Sequence, residues 1–574
     1  MLPIQAKNNT PNPSTGHSAL LLGKPVFRDA QLAENAKRIG WAAAWNSLFE
    51  EPTQHSYQQA LATVSGDFAV GIVLKDNRVV LAVDRFAIQT LCYRITPTGI
   101  RFAQYADQLA NQLGVDTEIC PQAIFDYLYF HCIPSPRTIY KDVYRLPPGH
   151  FAVYENGKLT VAAYWQAEFK PNPSTRFDSA REQFKQTLQD AVAGQLDGSK
   201  PACFLSGGTD SSSIAGMIRE ASGQQARSYS IGFEAEGYDE MAYARLAAKH
   251  FSTEHHEHYV TPDDLVRSIP AVAAHYDQPF GNSSALPAYY CARMAQQDGV
   301  THILAGDGGD ELFGGNSRYA KQRVFGWWQA LPGGLRRGLL EPVLESPWAA
   351  HMPLLKKGHN YVEQAKVAMP ARLQMYNLLL RLGTHEVLTP AFLARVDVNG
   401  PAQHQQATWS QIGPASELNT TLAFDWRYTL SESDLPKVRE TTRLAGISVG
   451  FPMLDTALLD FSMTLPDHYK LRGLKLRWFF KEALRGFLPD EILTKKKQGF
   501  GLPFGVWLFR SPKLYALANE SLQTLSRRGI VRPEFIQTLL EHKLREHPGY
   551  YGEKVWILMM LEQWLRAKAP NTMM

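Results

Sequence analysis

The stretch Pro201 to Gly216 limits the architecture more than any other part of the chain. A short apolar strand, Ala202 to Leu205, runs into Ser206-Gly207-Gly208-Thr209-Asp210, and a helix opens at Ser211. A strand feeding a glycine turn and a helix N-terminus makes an anion cradle, because backbone N–H groups and the positive end of the helix dipole converge on one spot. Ser206, Ser211 and Ser212 add hydroxyl donors, and Asp210 adds a carboxylate suited to hold Mg²⁺ against bound phosphates. An ordinary helix cap needs only one such residue, whereas the run from Ser206 to Ser213 is unbroken. No Lys follows the second glycine and no GxGxxG is present, which excludes the P-loop and the dinucleotide fingerprint.

Two further segments repeat the strand-then-loop pattern. Ala226 to Phe233 is followed by Tyr238-Asp239-Glu240 and a helix through Lys249. His302 to Ala305 runs into Gly306, Asp307, Asp310 and Glu311, ending at Gly314-Gly315. Carboxylates beside a triphosphate repel it unless a divalent cation lies between them, so Asp210 and Asp310 pair as a candidate Mg²⁺ site. Strand–helix alternation predicts a parallel, doubly wound sheet with its ligands at the carboxyl ends of the strands.

Length and composition bound the rest. A chain of 574 residues holds two or more domains. Its net charge of +4 neither recruits nor excludes nucleic acid, and no nucleic-acid partner is expected. Five scattered cysteines without a CxxC pair suggest neither a disulfide framework nor a zinc knuckle, and point to a cytoplasmic location. The first 17 residues lack a signal-peptide core, and no apolar run approaches the roughly 20 residues of a membrane span.

The first third is dense in short strands: Ala19 to Leu22, Phe68 to Leu74, Val79 to Val83, Ile100 to Ala103 and Phe151 to Tyr154. Ala30 to Leu48 reads as helical, as does Pro121 to Phe130 with Pro at its entry. A β-rich domain over 1–165 is expected, then a Pro/Asn linker and a second domain over 180–568 opened by a helix from Arg181 to Leu196. Trp327, Trp328, Trp348 and Trp409 read as core, because large aromatics usually bury. Lys495 to Lys497, before Gly499, is either a solvated surface or a phosphate contact. His255-His256-Glu257-His258 lies on a predicted strand, where alternate residues face opposite ways and cannot converge on zinc.

The Ser206 to Ser212 loop resembles the pyrophosphate loop of enzymes that split ATP between its α- and β-phosphates. With Gly306 to Gly315, Tyr238-Asp239-Glu240, Asp277-Gln278-Pro279-Phe280, Gly450 to Asp455 and Gly499 to Pro503, it is similar to the synthetase domain of the asparagine synthetase superfamily. Ser65 to Ala69, Val83 to Ala87 and Arg145 to His150 look like that family's glutaminase domain. The resemblance implies an α/β fold: an N-terminal glutaminase-like (Ntn-type) sandwich, then an adenine-nucleotide α-hydrolase-like parallel sheet with helical additions. It further implies an ATP/pyrophosphate site built from Leu205, Ser206, Gly207, Gly208, Thr209, Asp210, Ser211, Ser212, Ile231, Ala305 and Gly306, with Mg²⁺ on Asp210 and Asp310. Asp307 falls at the general-base position, and Arg477, or Lys475 two residues before it, at that of a Lys which steadies the adenylation transition state.

Three departures from the family pattern stand out. Residue 2 is Leu2 and the first cysteine is Cys92, so the glutaminase nucleophile is expected to be lacking. Asp307 stands where relatives commonly carry Glu or Tyr, and Ser448-Val449-Gly450 replaces a Glu-x-Arg, which puts the nucleophile pocket in doubt. The expected activity is ATP-dependent, AMP-forming amide ligation with an amine as nucleophile, in the manner of lasso-peptide cyclases. The partners implied are a peptide or small-molecule substrate and a leader peptidase. The alternatives are an ammonia-dependent asparagine synthetase, a β-lactam synthetase-like cyclase and a nucleotide-binding pseudoenzyme.

Overall fold

The computed structural model describes residues 19–49, 54–110, 118–344, 361–495 and 501–574. The N-terminal region is built on a five-stranded antiparallel sheet. Its strands are β1 (Ala19–Gly23), β2 (Phe68–Val73), β3 (Val79–Val83), β4 (His150–Glu155) and β5 (Lys158–Ala163), paired in that spatial order. Strands β2 and β3 are buried almost throughout, so they are Val/Ala/Ile runs rather than alternating ones. A three-stranded sheet of Cys92–Thr96, Gly99–Ala103 and Tyr144–Arg145 packs beside it. The helical stretch expected from Ala30 to Leu48 is two helices, Ala30–Arg38 and Trp41–Leu48, broken at Gly40 with φ of 109°. Strand β5 follows the Glu155-Asn156-Gly157 turn and had no counterpart in the sequence reading.

The second sheet is parallel. Strands β6 (Ala202–Phe204), β7 (Arg227–Phe233), β8 (Glu254–Val260), β9 (His302–Leu304) and β10 (Ser448–Gly450) lie in the order β8-β7-β6-β9-β10. The chain leaves β6 toward one edge, through β7 and β8, and returns to the other side of β6 as β9. The strand order therefore reverses between β6 and β9, with Cys203 opposite Leu304. Loops at such a switch point splay apart and leave a crevice at the carboxyl ends of the strands. Helix α1 (Phe177–Gln195) covers the sheet, while α2 (Thr209–Ser222) and α3 (Ala285–Gln297) are two of its crossovers.

Beyond β9 the described residues are mostly helical, apart from β10 and a short hairpin of Leu471–Arg472 with Lys475–Leu476. Helices α4 (Leu435–Ala445), α5 (Trp478–Ala483) and α6 (Pro548–Lys568) are those that matter for the site and the core. The core is shared between the regions: Phe125, Tyr127, Leu128 and Ile139 lie in one buried cluster with Leu265, Leu286, Trp556 and Trp564. Asp277 and Gln278 tie the regions by accepting from the backbone N–H of Ala106 at 3.0 Å and of Ile139 at 3.3 Å. Trp327 departs from the expected core role: it is 53% exposed. Trp328 and Trp409 are half-buried, and Trp348 lies outside the described residues. Among the described residues no helix is long and apolar enough to cross a membrane.

Candidate active site

The turn after β6 carries Gly207 at φ of 69°, where the backbone presses against Tyr243 and Ala244 so closely that a Cβ would overlap both. Glycine alone meets the left-handed backbone and the contact together. The turn delivers α2 with Asp210 in its first turn. Ser211 Oγ accepts from Ser206 N–H at 3.1 Å and lies 3.0 Å from Ser206 Oγ, so the cradle's hydroxyls satisfy one another. Ser212 Oγ is buried and has no partner.

These loops open into a cavity of about 910 Å³. Leu205, Ser206, Gly208, Thr209, Asp210, Ser211, Ile231 and Gly306 line it, as do Asp307, Asp310, Lys475 and Arg477. Gly207, Ser212 and Ala305 stand behind that wall, shaping the loops from within.

Arg477 reaches the same cavity from a hairpin far along the chain. A hairpin of Leu471–Arg472 and Lys475–Leu476 ends in Arg477 at φ of 51° and ψ of 38°, the residue that opens α5. Its guanidinium donates to Asp210 Oδ2 at 2.7 Å, to Asp310 Oδ1 at 2.6 Å and to Thr209 Oγ1 at 3.1 Å, with a further bond from Nη2 to Asp210 Oδ1. A non-glycine residue held left-handed costs of order 1–2 kcal/mol, and here the ion pairs over-determine it. Burial lowers the Arg477 pKa, but the two carboxylates outweigh it and hold the group firmly protonated. Lys475 stands exposed at the rim of the same cavity.

A second charged group faces the cavity across from the cradle. Lys437 on α4 reaches Asp307 at 3.3 Å and Asp434 at 3.1 Å. Burial raises the Asp307 carboxyl above its usual range, while Lys437 pulls it down and Asp434 pushes it up. The sequence reading placed Asp307 but missed its partners. Asp434 and Lys437 stand three apart on one helical face, and only the tertiary fold brings that face to a residue 130 positions earlier.

Other motifs have structural duties. Ser448 Oγ bonds His302 Nδ1 at 2.9 Å at the start of β10, and a side chain at Gly450 would collide with Gln195 and Leu304. Neither residue lines the cavity. Lys495 pairs with Glu240 at 2.7 Å and covers the Tyr243 ring, while Lys496 to Phe500 lie outside the described residues. The histidines of β8 go to separate partners: His255 to Ser228, His256 to Asp298, and His258 against the Tyr290 ring. Cys92 and Cys132 are buried, which pushes the Cys92 thiol far above its usual range and that of Cys132 up to about 12. Neither is a ready thiolate nucleophile.

With this geometry in place, comparison with known proteins is decisive. An asparagine synthase family model matches residues 183–566, well over half of the chain. The chain belongs to the asparagine synthase family. A glutamine amidotransferase domain model matches residues 51–165. The chain is 25% identical to asparagine synthetase (glutamine-hydrolyzing) 1 of Bacillus subtilis, over 95% of this chain and 85% of that one. It is 26% identical to a putative asparagine synthetase of Mycobacterium bovis, over 79% and 69% of the two chains. It is also 35% identical to a putative asparagine synthetase of Methanocaldococcus jannaschii, over 39% and 44%. Family membership makes the protein an ATP-dependent carbon–nitrogen ligase that releases AMP and pyrophosphate.

Proposed function

We propose that this ligase adenylates a substrate carboxylate and passes the acyl group to an amine borne by its substrate, with lasso-type macrolactam closure of a peptide as the reaction. The observation that carries the ligase chemistry is the meeting of the Ser206–Ser211 cradle, Arg477 and the Asp307–Lys437 pair in one cavity. In the first half-reaction the carboxylate oxygen attacks the α-phosphorus and the bond to the bridging oxygen breaks, releasing pyrophosphate. The cradle's N–H groups and Arg477 stabilise the charge that grows on the leaving group. In the second, the amine nitrogen attacks the acyl carbon, AMP leaves, and Asp307 takes the amine proton. Asp210 and Asp310 form an all-oxygen donor set that fits a hard divalent cation; Mg²⁺ bound there neutralises phosphate charge.

Two features support a substrate-borne amine. The cysteines of the first region whose titration is perturbed are buried and protonated. The cavity also extends past the cradle to Thr429, Asp434 and Ser284, leaving room beside a nucleotide. The free cysteines suit a reducing cytoplasm, and a leader peptidase is the partner such a peptide substrate requires. The curated relatives favour a second reading, in which free ammonia is the amine and aspartate the acid.

The test separates the halves. Pyrophosphate exchange into ATP should require a carboxylate substrate, and Asp307→Asn should keep that exchange while slowing amide formation about 10²-fold. A peptide with a free N-terminus and an internal Asp or Glu should lose one water and become cyclic. Product formed only from aspartate and ammonium salts would establish the second reading instead.

A further inference from the structure

We infer that Arg477 is a resident counter-ion of the Asp210–Asp310 pair, so that a divalent cation enters this site only in company with a nucleotide that draws the guanidinium away. The inference rests on the proposed function, but it concerns the order of binding rather than the chemistry.

One guanidinium nitrogen, Nη1, bonds both carboxylates, at 2.7 Å to Asp210 and 2.6 Å to Asp310, and so stands between them. That is the position a bridging cation would take, and Lys481 on α5 adds an electrostatic attraction to both acids. Both acid side chains are 19% exposed and the arginine side chain only 4%, so the group is enclosed rather than draped over the surface. The loop is built for this arrangement. A Cβ at Gly309 would overlap Asp210 and press on Arg477 Nη2, and one at Gly315 would overlap Asp310 and Arg477 Cδ. The ring of Phe480 lies 3.9 Å from Cζ and supports the planar face.

Arg477 Nε is buried and has no acceptor. Arginine carries five donors in a rigid fork matched to phosphate, so a guanidinium with a buried, unused Nε–H has a better partner in a polyphosphate. When phosphate oxygens arrive, the fork gains acceptors for all its donors and the carboxylates are freed for the metal. Free cation, carrying no phosphate, must break the pairs unaided. A site closed in this way nine times in ten weakens free-cation binding about tenfold.

Mn²⁺ titration of the full-length protein, followed by electron paramagnetic resonance without nucleotide, tests this directly. Arg477→Met should bind free Mn²⁺ about tenfold more tightly than the wild type. Adding Asp210→Asn to that variant should abolish the gain and thereby locate the ion. Arg477→Lys, whose single ammonium lacks the fork, should fall between and serves if the methionine variant does not fold. Equal Mn²⁺ affinity in the wild type and in either variant, whether tight or undetectable, overturns the inference. The titration needs no turnover. Loss of pyrophosphate exchange with the Mn²⁺ pattern intact would therefore refute the proposed function alone.

Discussion

Both five-stranded sheets bury carboxylates at the ends of their strands, but they satisfy them differently. In the antiparallel sheet, Asp84 is 1% exposed and accepts from the backbone N–H of Phe68, Phe86, Ile88 and Gln89, at 3.0 to 3.2 Å. Burial pushes its carboxyl up to about 7 against the pull of those donors. In the parallel sheet, Asp210, Asp310 and Asp307 are paired with the side-chain cations Arg477 and Lys437, and all of them face a cavity. A backbone donor cannot leave its acceptor without unfolding the segment that carries it. A side-chain cation can rotate away for one rotamer change, so a carboxylate held by cations is available to a ligand and one held by amides is not.

The contrast is open to attack at three points. Asp210→Ala removes a carboxylate that side chains hold, and pyrophosphate exchange should fall about 10²–10³-fold. A variant with wild-type exchange would mean that the cavity is not where ATP is split. Asp84→Ala removes a carboxylate that amides hold, orphaning several buried N–H groups. Urea unfolding should show about 3 kcal/mol lost, with the exchange rate per folded molecule unchanged. A slowed exchange in that variant would blur the division between structural and functional acids. The smallest effect is expected from Lys437→Met. Amine transfer needs Asp307 ionised, so its rate falls as the pH drops through the raised Asp307 pKa. Lys437 lowers that pKa, so its removal should move the acid limb of the pH–rate profile to higher pH. An unmoved limb would show that Asp307 is not the titrating group.

The strand ends were legible because glycine, serine and aspartate dictate backbone geometry locally. The β6 turn, the β9 turn and α2 fall within two residues of their sequence-derived places. The helix Pro121–Phe130 was legible from its proline entry, and strand β8 was anticipated only around His255 to His258. The base role of Asp307 and the placement of Arg477 were reached only through family resemblance. Lys437 and Asp434 were missed because their role depends on the approach of α4 to the β9 loop, a contact of long sequence separation. Ser448-Val449-Gly450 lies at the sheet edge, where Ser448 bonds His302 and Gly450 packs against Gln195 and Leu304.

The buried cluster that joins Phe125 and Tyr127 to Trp556 and Trp564 makes the two regions one packing unit. A region whose side chains form part of the other's interior cannot be removed without exposing a wide apolar surface. Arg439 on α4 also donates to Ile88 O at 2.6 Å, so the helix that bears Lys437 is itself anchored in that region. In calorimetry the chain should melt in one transition rather than two.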